Sequence, residues 1–284
     1  MDEITEIALL RARLRAERAG GRRIALVPTM GYLHEGHLAL VDAARHHADV
    51  AVMSLFVNPL QFAPGEDFDR YPRDLARDSA LAQSRRTDIL FAPSVAEMYG
   101  HGRDLRITGA AAANRWEGAV RPGHFDGVLT VVAKLFLITQ PDVVCFGQKD
   151  IQQVTLVRQM IREFDFPIRC IMVPTVREPD GLALSSRNVY LSATERQAAT
   201  ALSASLHAAE AAWRGGASDP LVLHRIVEDA LGAGGPIGPL AADYIAIVDT
   251  DELSPVVRAE TGTIIALAVR VGKTRLIDNI ILGA

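Results

Sequence analysis

Cysteine, lysine and long apolar runs are scarce in this sequence. Its 284 residues include two cysteines, Cys145 and Cys170, each within an apolar run, and three lysines. Two thiols are too few for a disulfide framework, and they are not spaced as in a zinc knuckle. We therefore predict that both cysteines are small buried residues in strands.

The usual signals for membranes, secretion and nucleic acids are also missing. No apolar run is long enough to cross a bilayer, and residues 1–20 are acidic and then amphipathic, unlike a secretory signal. They predict instead a surface helix ended by Gly20 and Gly21. The net charge of −4 is spread along the chain, without a basic block for nucleic acid. We therefore predict cytoplasmic residence, with neither a membrane nor a nucleic acid as partner.

The sequence does contain short apolar segments that alternate with helical patterns. Hydrophobic residues make up 49% of the chain, which is ample for a sizeable core. Strands are predicted over 22–29, 49–59, 87–93, 141–147 and 167–176, and helices over 37–47, 70–85, 127–140 and 150–164, with Pro72 in the first turn of the second helix. Such alternation implies βαβ units. We therefore predict a Rossmann-like, doubly wound parallel sheet over residues 1–175.

The pattern changes after residue 175. Alanine-rich helices are predicted over 194–216 and 219–235, and strands over 243–250, 263–272 and 274–282. These elements predict a smaller α+β domain, residues 176–284, that covers the mouth of the first domain as a lid. The stretch "VGKTR" between the last two strands is predicted to be a turn. It is not a phosphate-binding P-loop, because Leu267 stands where that motif needs glycine.

Unusual residues follow the ends of the predicted strands, where open parallel sheets bind ligands. After the first strand, "PTMGYLHEGH" (28–37) places His34 and His37 on one face at a helix N-terminus, where free backbone N–H groups favour an anion. The imidazoles would donate to phosphate oxygens. A capping turn with surface histidines is the alternative interpretation. A zinc site would need a third ligand and a different spacing.

Two more strand ends carry polar groups suited to ligands. "FVNPLQF" (56–62) sets Asn58 and Gln61 in a loop that suits a small carboxylate or hydroxyl ligand, with turn chemistry as the alternative. "FGQKDIQQ" (146–153) offers Lys149 to a phosphate and Asp150 to a helix cap or a hydroxyl, unless it is only a polar connecting loop. Gln152 and its neighbour at 153 cannot both point the same way, so one of them is predicted to face a ligand.

A fourth segment, "LALSSRN" (182–188), combines two hydroxyls with a guanidinium. In a mobile loop, these groups would clamp a triphosphate as charge moves onto the leaving pyrophosphate. A solvated hairpin tip is the alternative.

Together these segments resemble the pantothenate synthetase (pantoate–β-alanine ligase) family of the nucleotidylyltransferase superfamily. The matching segments, in the order and at the spacing of the family, are "PTMGYLHEGH", "FVNPLQF", "RYPRD", "RPGHFDGV", "FGQKDIQQ", "DGLALSSRNVYLS" and "GKTRLIDN". The resemblance implies an ATP-dependent ligation. The carboxylate of (R)-pantoate attacks the α-phosphate of ATP to give pantoyl adenylate and pyrophosphate. The amine of β-alanine then attacks the activated carbonyl to give pantothenate and AMP.

The resemblance also implies a role for each matching residue. The implied catalytic residues are His37, which stands at the proton-donor position of the family, His34, Lys149 and Arg187. The implied ATP site comprises Met30, Gly31, His34, His37, Gly147, Lys149 on phosphate, Asp150 on ribose, Val176, Leu184, Ser185, Ser186 and Arg187. Gln61 and Gln153 are implied to bind pantoate with support from Asn58, and Gln61 also to touch β-alanine.

Asp78 matches an acid that lies near Mg²⁺ in the family, so the resemblance implies a magnesium ion here. Arg77 stands where some members have a second acid, Leu184 where many have Met, and Gln148 where many have Glu. The family also implies a homodimer formed through the N-terminal domains.

Two other functions fit parts of the pattern. The first is another adenylyl-transfer enzyme, in which a phosphorylated substrate would attack ATP. Such an enzyme would need a basic pocket for the phosphate of that substrate. The amides of Gln61 and Gln153 favour a substrate with carboxylate and hydroxyl groups instead. A nucleotide-sensing module would bind ATP without releasing pyrophosphate.

Overall fold

The computed structural model describes residues 1–66, 68–100, 102, 105–109, 111–233 and 235–284. From the N-terminus to residue 173, strands alternate with helices. The strands are β1 Asp2–Ile4, β2 Ile24–Thr29, β3 Val50–Leu55, β4 Ile89–Phe91, β5 Val143–Gly147 and β6 Arg169–Val173. The helices are α1 Ile7–Ala19, α2 Glu35–His47, α3 Leu75–Ser84, α4 Val95–Tyr99, α5 Glu117–Val120, α6 His124–Thr139 and α7 Ile151–Glu163.

Within the described residues, these six strands form one sheet in the order β1-β4-β3-β2-β5-β6, and its pairings are parallel. From the central β2 the chain moves outward through β3 and β4, then returns to add β5 and β6 on the other side. The predicted doubly wound sheet is therefore confirmed. The direction reverses between β2 and β5, and the carboxyl ends of strands at such a point form a ligand-binding crevice.

Apolar side chains cover both faces of this sheet. The strands are short, continuous apolar runs; residues 24–27 of β2 and 50–54 of β3 are buried. Leu10 and Leu14 of α1 pack with α6 on one face, and Leu40 and Val41 of α2 pack on the other. Each fully buried side chain of this kind stabilises the fold by about 1.5–3 kcal/mol. The strand ends are therefore fixed points from which loops can present functional groups.

The chain then builds a second, smaller layer. Its helices are α8 Ala193–Ala198, α9 Ala201–Arg214 and α10 Pro220–Gly232, and its strands are β7 Ala242–Val248, β8 Ile264–Val271 and β9 Thr274–Ile281. In this described part the three strands form an antiparallel sheet, β7-β8-β9, against which the helices pack. The predicted α+β region is confirmed, and Gly272 with Lys273 forms the predicted turn. The domain boundary at 175/176 stays a prediction.

Two predicted helices differ from the structure. Helix α3 begins at Leu75, because the carboxylate of Asp74 accepts from the backbone N–H of Arg77 at 3.0 Å and caps the helix there. The prediction of Pro72 in its first turn is therefore wrong. The single helix predicted over 194–216 is two helices, α8 and α9; between them Thr200 donates its hydroxyl to the Gln197 carbonyl at 2.8 Å.

Some short elements were not predicted, namely β1, α4 and α5. A few residues each give too little periodicity for a sequence pattern to register. Cys145 in β5 is buried as predicted, but Cys170 in β6 is only partly buried. In the described part of the chain, no helix combines the length and apolarity needed to span a bilayer.

Candidate active site

The turn from β2 into α2 follows a tight backbone path. Thr29 donates its hydroxyl to the Ser54 carbonyl of β3 at 2.7 Å, and the Gly31 N–H donates to the same hydroxyl at 3.2 Å. Gly31 has φ +85°, and a Cβ there would lie 3.0 Å from a carboxylate oxygen of Asp78. Both observations explain the glycine, since a larger residue would be strained and crowded.

Asp78 holds this turn from behind. Its carboxylate accepts from the backbone N–H groups of Tyr32 at 2.6 Å and Leu33 at 2.8 Å. Asp78 is 2% exposed, and burial raises the pKa of its carboxyl against the opposing effect of those bonds. Arg77 lies 3.3 Å from the same carboxylate. The geometry makes Asp78 a support for the turn.

The predicted magnesium site does not fit these residues. Mg²⁺ in nucleotide enzymes takes one or two carboxylates that reach the phosphates, whereas both oxygens of Asp78 are engaged by backbone donors. Among the described residues there is also no cluster of three His, Cys, Asp or Glu that would hold a metal. Asp78 as the ligand is therefore a poor match, and Mg²⁺ itself stays a prediction.

The two histidines cap α2 as a pair. The Gly36 N–H donates to His34 Nδ1 at 3.2 Å, and the His34 N–H donates to His37 Nδ1 at 3.3 Å. Their ring centroids are 4.1 Å apart. Because each Nδ1 is an acceptor, each neutral ring carries its hydrogen on Nε2. The histidines therefore cap the helix, as the alternative interpretation expected, but they are partly buried rather than on the surface. The cap orients two Nε2–H donors.

Both imidazoles are neutral near pH 7. Burial, followed by the charge of Lys149, lowers the pKa of His34 to about 4. Burial also lowers the pKa of His37 well below its usual value, and His34 acts in the same direction. In the free enzyme these rings are therefore uncharged, and each presents an Nε2–H group that can donate a hydrogen bond.

A cavity of about 210 Å³ opens at the carboxyl ends of β2 and β5. Of the sixteen site residues predicted from the sequence, all of them within the described part of the chain, thirteen line it: Met30, His34, His37, Gln61, Gly147, Lys149, Asp150, Gln153, Val176, Leu184, Ser185, Ser186 and Arg187. Gly31, Asn58 and Asp78, which are also described, are not among the lining residues. Segments far apart in the sequence thus meet at one place.

Asn58 supports Gln61 from behind. Asn58 is 1% exposed, and its amide donates to Gln61 Oε1 at 3.1 Å and to the Gly127 carbonyl at 3.0 Å. Its own oxygen accepts from the hydroxyl of Tyr99 at 2.9 Å. The Gln61 amide nitrogen lies 3.1 Å from the sulfur of Met30. These bonds give Asn58 a role in orienting Gln61, which is the kind of support that the resemblance implies for it.

The loop after β5 depends on the second sheet. Residues 148–150 form a 3-10 turn, and Lys149 Nζ lies 3.9 Å from Asp150 Oδ2. Asn279 of β9 donates from its amide to the carbonyls of Gln148 at 2.9 Å and Lys149 at 3.0 Å. In α7, the side chain of Gln152 points away from the smaller cavity, and its oxygen accepts from the Glu117 N–H at 3.1 Å. Position 153 therefore faces the cavity.

The segment 176–187 is also anchored to β9. Arg177 binds both carboxylate oxygens of Asp278, at 2.7 and 3.0 Å. The Leu184 N–H donates to the Val176 carbonyl at 3.0 Å, which closes the segment on itself. Ser185 caps the following 3-10 turn by accepting from the N–H of Arg187 at 3.2 Å. These contacts hold two hydroxyls and a guanidinium at the cavity.

A larger cavity of about 680 Å³ adjoins the first. Residues that line both are Arg121, His124, Lys149, Asp150, Gln153, Ser185 and Arg187. Arg121 and His124 had no predicted role, although "RPGHFDGV" is one of the matching motifs. The signal was present in that motif, but neither periodicity nor spacing shows which cavity its side chains face.

Comparison with known proteins shows the family of this chain. The family model described as Pantoate-beta-alanine ligase matches residues 2–281. A pantothenate synthetase from Heliobacterium modesticaldum is 51% identical over 279 residues, which are 98% of this chain and 98% of the relative. One from Moorella thermoacetica is 49% identical over 282 residues, which are 99% of each chain.

Solved structures show the same fold and family. A pantothenate synthetase from Thermus thermophilus matches with a TM-score of 0.92 at 49% identity, over 99% of both chains. A pantoate–β-alanine ligase from Francisella tularensis, solved in complex with β,γ-ATP and β-alanine, matches with a TM-score of 0.80 at 34% identity, over 99% of this chain and 97% of that one. This chain therefore belongs to the pantoate–β-alanine ligase family of enzymes, the pantothenate synthetases.

Proposed function

We propose that this enzyme first activates (R)-pantoate with ATP and then joins it to β-alanine. In the first step a carboxylate oxygen of pantoate attacks the α-phosphorus, the bond to the bridging oxygen breaks, and pyrophosphate leaves. In the second step the amine of β-alanine attacks the carbonyl carbon of pantoyl adenylate. The bond to AMP breaks and the amine loses a proton, which yields pantothenate. Activation is needed because a free carboxylate has no good leaving group.

The observation that carries this proposal is the convergence of phosphate-binding groups on one cavity. Its walls combine two imidazoles, an ammonium, a guanidinium and two hydroxyls, from His34, His37, Lys149, Arg187, Ser185 and Ser186. Such groups, held in place before the reaction, stabilise charge that grows on the phosphates and on the leaving pyrophosphate. The related Francisella tularensis ligase, solved with β,γ-ATP and β-alanine, supports ATP as the substrate that these groups receive.

The neutral state of the histidines has a consequence for catalysis. His34 and His37 meet ATP as hydrogen-bond donors through Nε2–H, because burial keeps both rings uncharged. A bound triphosphate raises both pKa values, since negative charge favours the imidazolium. In this proposal His37 is therefore able to give up a proton only after ATP has bound.

The other lining residues divide between nucleotide and acid. Met30, Val176 and Leu184 offer apolar surface to the nucleoside, and Asp150, half exposed, offers a carboxylate to a ribose hydroxyl. Gln61 and Gln153 offer neutral amides to the carboxylate and hydroxyls of pantoate. Gln61 lies beside Met30, and the family resemblance implies that Gln61 also contacts β-alanine.

Mg²⁺, a homodimer and cytoplasmic residence are further parts of the proposal that rest on the resemblance or on composition. A metal would supply charge neutralisation at the phosphates. Sedimentation equilibrium tests the assembly: a mass twice the 30.7 kDa of the chain supports a homodimer, and the mass of a single chain contradicts it.

Isotope exchange tests the intermediate directly. The enzyme is incubated with ATP, pantoate and labelled pyrophosphate, without β-alanine. Label that enters ATP in a pantoate-dependent manner supports a reversible adenylation step. Turnover with β-alanine but no exchange without it contradicts the two-step route. A stable dinucleotide product would instead support adenylyl transfer without ligation.

A further inference from the structure

The "RPGHFDGV" motif forms the junction between α5 and α6, and it faces Gln61. Arg121 follows α5, Gly123 turns the chain with φ +78°, and His124 begins α6. Both Arg121 and His124 line both cavities of the site. The proposed reaction assigns no role to either residue.

His124 holds the main chain of Gln61. Its Nδ1 lies 2.8 Å from the Gln61 carbonyl oxygen, and its Nε2 lies 3.1 Å from Nη1 of Arg121. A carbonyl oxygen only accepts and a guanidinium only donates. His124 therefore carries its hydrogen on Nδ1 and accepts on Nε2. Burial, with the charge of Arg121, lowers the pKa of His124 to about 4, which keeps the ring in this neutral form.

Arg121 links His124 to the loop that follows Gln61. Its Nε and Nη2 donate to the two carboxylate oxygens of Glu66 at 2.8 and 2.7 Å. Glu66 in turn accepts from the Ala63 N–H at 3.2 Å. The bonds thus close a ring through Gln61, Ala63, Glu66, Arg121 and His124. Both ends of the 61–66 segment are therefore bonded to the junction between α5 and α6, where Nη2 of Arg121 also donates to the Gln61 carbonyl at the longer distance of 3.4 Å.

The side chain of Gln61 depends on α6 as well. Asn58 orients its amide and is itself held by the Gly127 carbonyl. A Cβ on Gly127 would lie 2.2 Å from the Leu60 carbonyl oxygen, so helix and loop are in direct contact there. The side-chain amide of Gln61 is in contact with Asn58 and Met30. A shift of the Gln61 main chain would therefore move this amide away from both partners.

We propose that His124 is a positioning residue for pantoate: its Nδ1–H fixes the Gln61 main chain so that the Gln61 amide meets the substrate acid. This inference rests on the proposed function, in which Gln61 receives pantoate. Groups that hold a substrate-binding side chain act on affinity and alignment for that substrate, because small displacements cost large factors in rate. ATP is bound by other residues, so its binding is expected to be unaffected.

Two substitutions separate the two bonds of the ring. In His124→Asn the amide nitrogen takes the place of Nδ1 and keeps a donor for the Gln61 carbonyl. In His124→Gln the longer amide reaches the Nε2 position and keeps the partner of Arg121 but loses that donor. We expect His124→Gln to raise KM for pantoate about tenfold with KM for ATP within about twofold, and His124→Asn to stay within about threefold of the wild type for both. His224→Asn, on α10, is the matched control.

A double-mutant cycle shows whether His124 acts through Gln61. If it does, His124→Gln has little further effect on pantoate once Gln61→Ala has removed the amide, so the two effects are not additive. Thermal unfolding of each variant identifies any loss of fold.

Three outcomes would overturn the inference. Equal rises in KM for ATP and for pantoate would mean a general structural role. Additive effects in the double mutant would mean that His124 acts independently of Gln61. A wild-type enzyme that forms no pantothenate would overturn the proposed function itself, and that result is read before any variant is compared.

Discussion

The two sides of the site are held by different parts of the fold. The imidazole side, Met30 with His34 and His37, is braced within the parallel sheet: Thr29 bonds to β3 and Asp78 to the turn. The cation side, Lys149 and Arg187, lies in segments that bond to β9 of the second sheet. Its support therefore comes from the C-terminal third of the chain.

This difference shows that two parts of the fold support the proposed phosphate site. Hydrogen-bond donors sit on a turn that is fixed within the first sheet, so they are preorganised wherever the second sheet lies. The charged groups lie in the loops of residues 148–150 and 176–187, which are hydrogen-bonded to β9. We therefore expect perturbations of the two sides to have different signatures.

The largest effect is expected in acid, and it is the combined effect of two histidines on the free energy of unfolding. The pKa values of His34 and His124 are lowered to about 4, chiefly by burial, whereas an unfolded histidine titrates near about 6.5. Between about pH 4 and pH 6.5, the unfolded chain thus binds more protons than the folded chain. The stability that each neutral ring contributes is fully present above about pH 6.5 and is lost as the pH falls through about 4. For each histidine the free energy of unfolding then decreases by an amount on the order of 3 kcal/mol.

Urea unfolding at a series of pH values from about 7 to about 4.5 measures this dependence. His34→Asn keeps a capping side chain but cannot titrate, so its free energy of unfolding is expected to fall less between those values than that of the wild type. His224→Asn, on an exposed surface, is the control. Parallel curves for the wild type and His34→Asn would contradict the account.

The next effect concerns the anchor of the cation side. Arg177→Met leaves the carboxylate of Asp278, 1% exposed, without its partner. Loss of one member of a buried pair costs about 3–5 kcal/mol, and KM for ATP is expected to rise as well. Arg214→Met breaks the pair with Glu210, in which the arginine is exposed, and should cost less than about 1 kcal/mol. Equal losses of unfolding free energy in the two variants would contradict the role of the Arg177–Asp278 pair as an anchor.

His37→Ala tests the imidazole side. We expect kcat to fall by about two orders of magnitude or more, because a donor to developing phosphate charge is removed, while the circular dichroism spectrum is retained. A kcat close to that of the wild type would mean that the role of His37 is misassigned.

The smallest effect is expected in KM for ATP, and it distinguishes Lys149 from Lys134. Lys149→Ala is expected to raise KM for ATP about tenfold, whereas Lys134→Ala should leave it unchanged, since Lys134 lies on α6 over the ring of Tyr99. The two variants remove the same charge. Similar KM values for ATP in both would argue against a phosphate contact at Lys149.

Much of this molecule could be predicted from its sequence for a physical reason. Buried parallel strands must be continuous apolar runs, and such runs stand out at β2, β3 and β5. Ligand-binding loops follow strand ends, so the unusual residues of segments 28–37 and 146–153 were found without coordinates. The thirteen lining residues owe their prediction to those two rules together with the family resemblance.

The rest depends on contacts between distant segments. Asp78 and Asn58 are polar residues near ligand loops, and the sequence cannot show whether they face the cavity or brace it from behind. Only the coordinates show the carboxylate of Asp78 on backbone N–H groups and the amide of Asn58 on Gln61. Likewise, no local pattern relates Asn279 to the carbonyl of Lys149, 130 residues away.

One measurement tests the central claim most directly: a crystal structure of the enzyme with a non-hydrolysable ATP analogue and pantoate. The account predicts a triphosphate in the smaller cavity, with Nε2 of both His34 and His37, Nζ of Lys149 and the Arg187 guanidinium about 3 Å from its oxygens. A triphosphate lodged in the larger cavity, out of reach of the imidazoles, would contradict it.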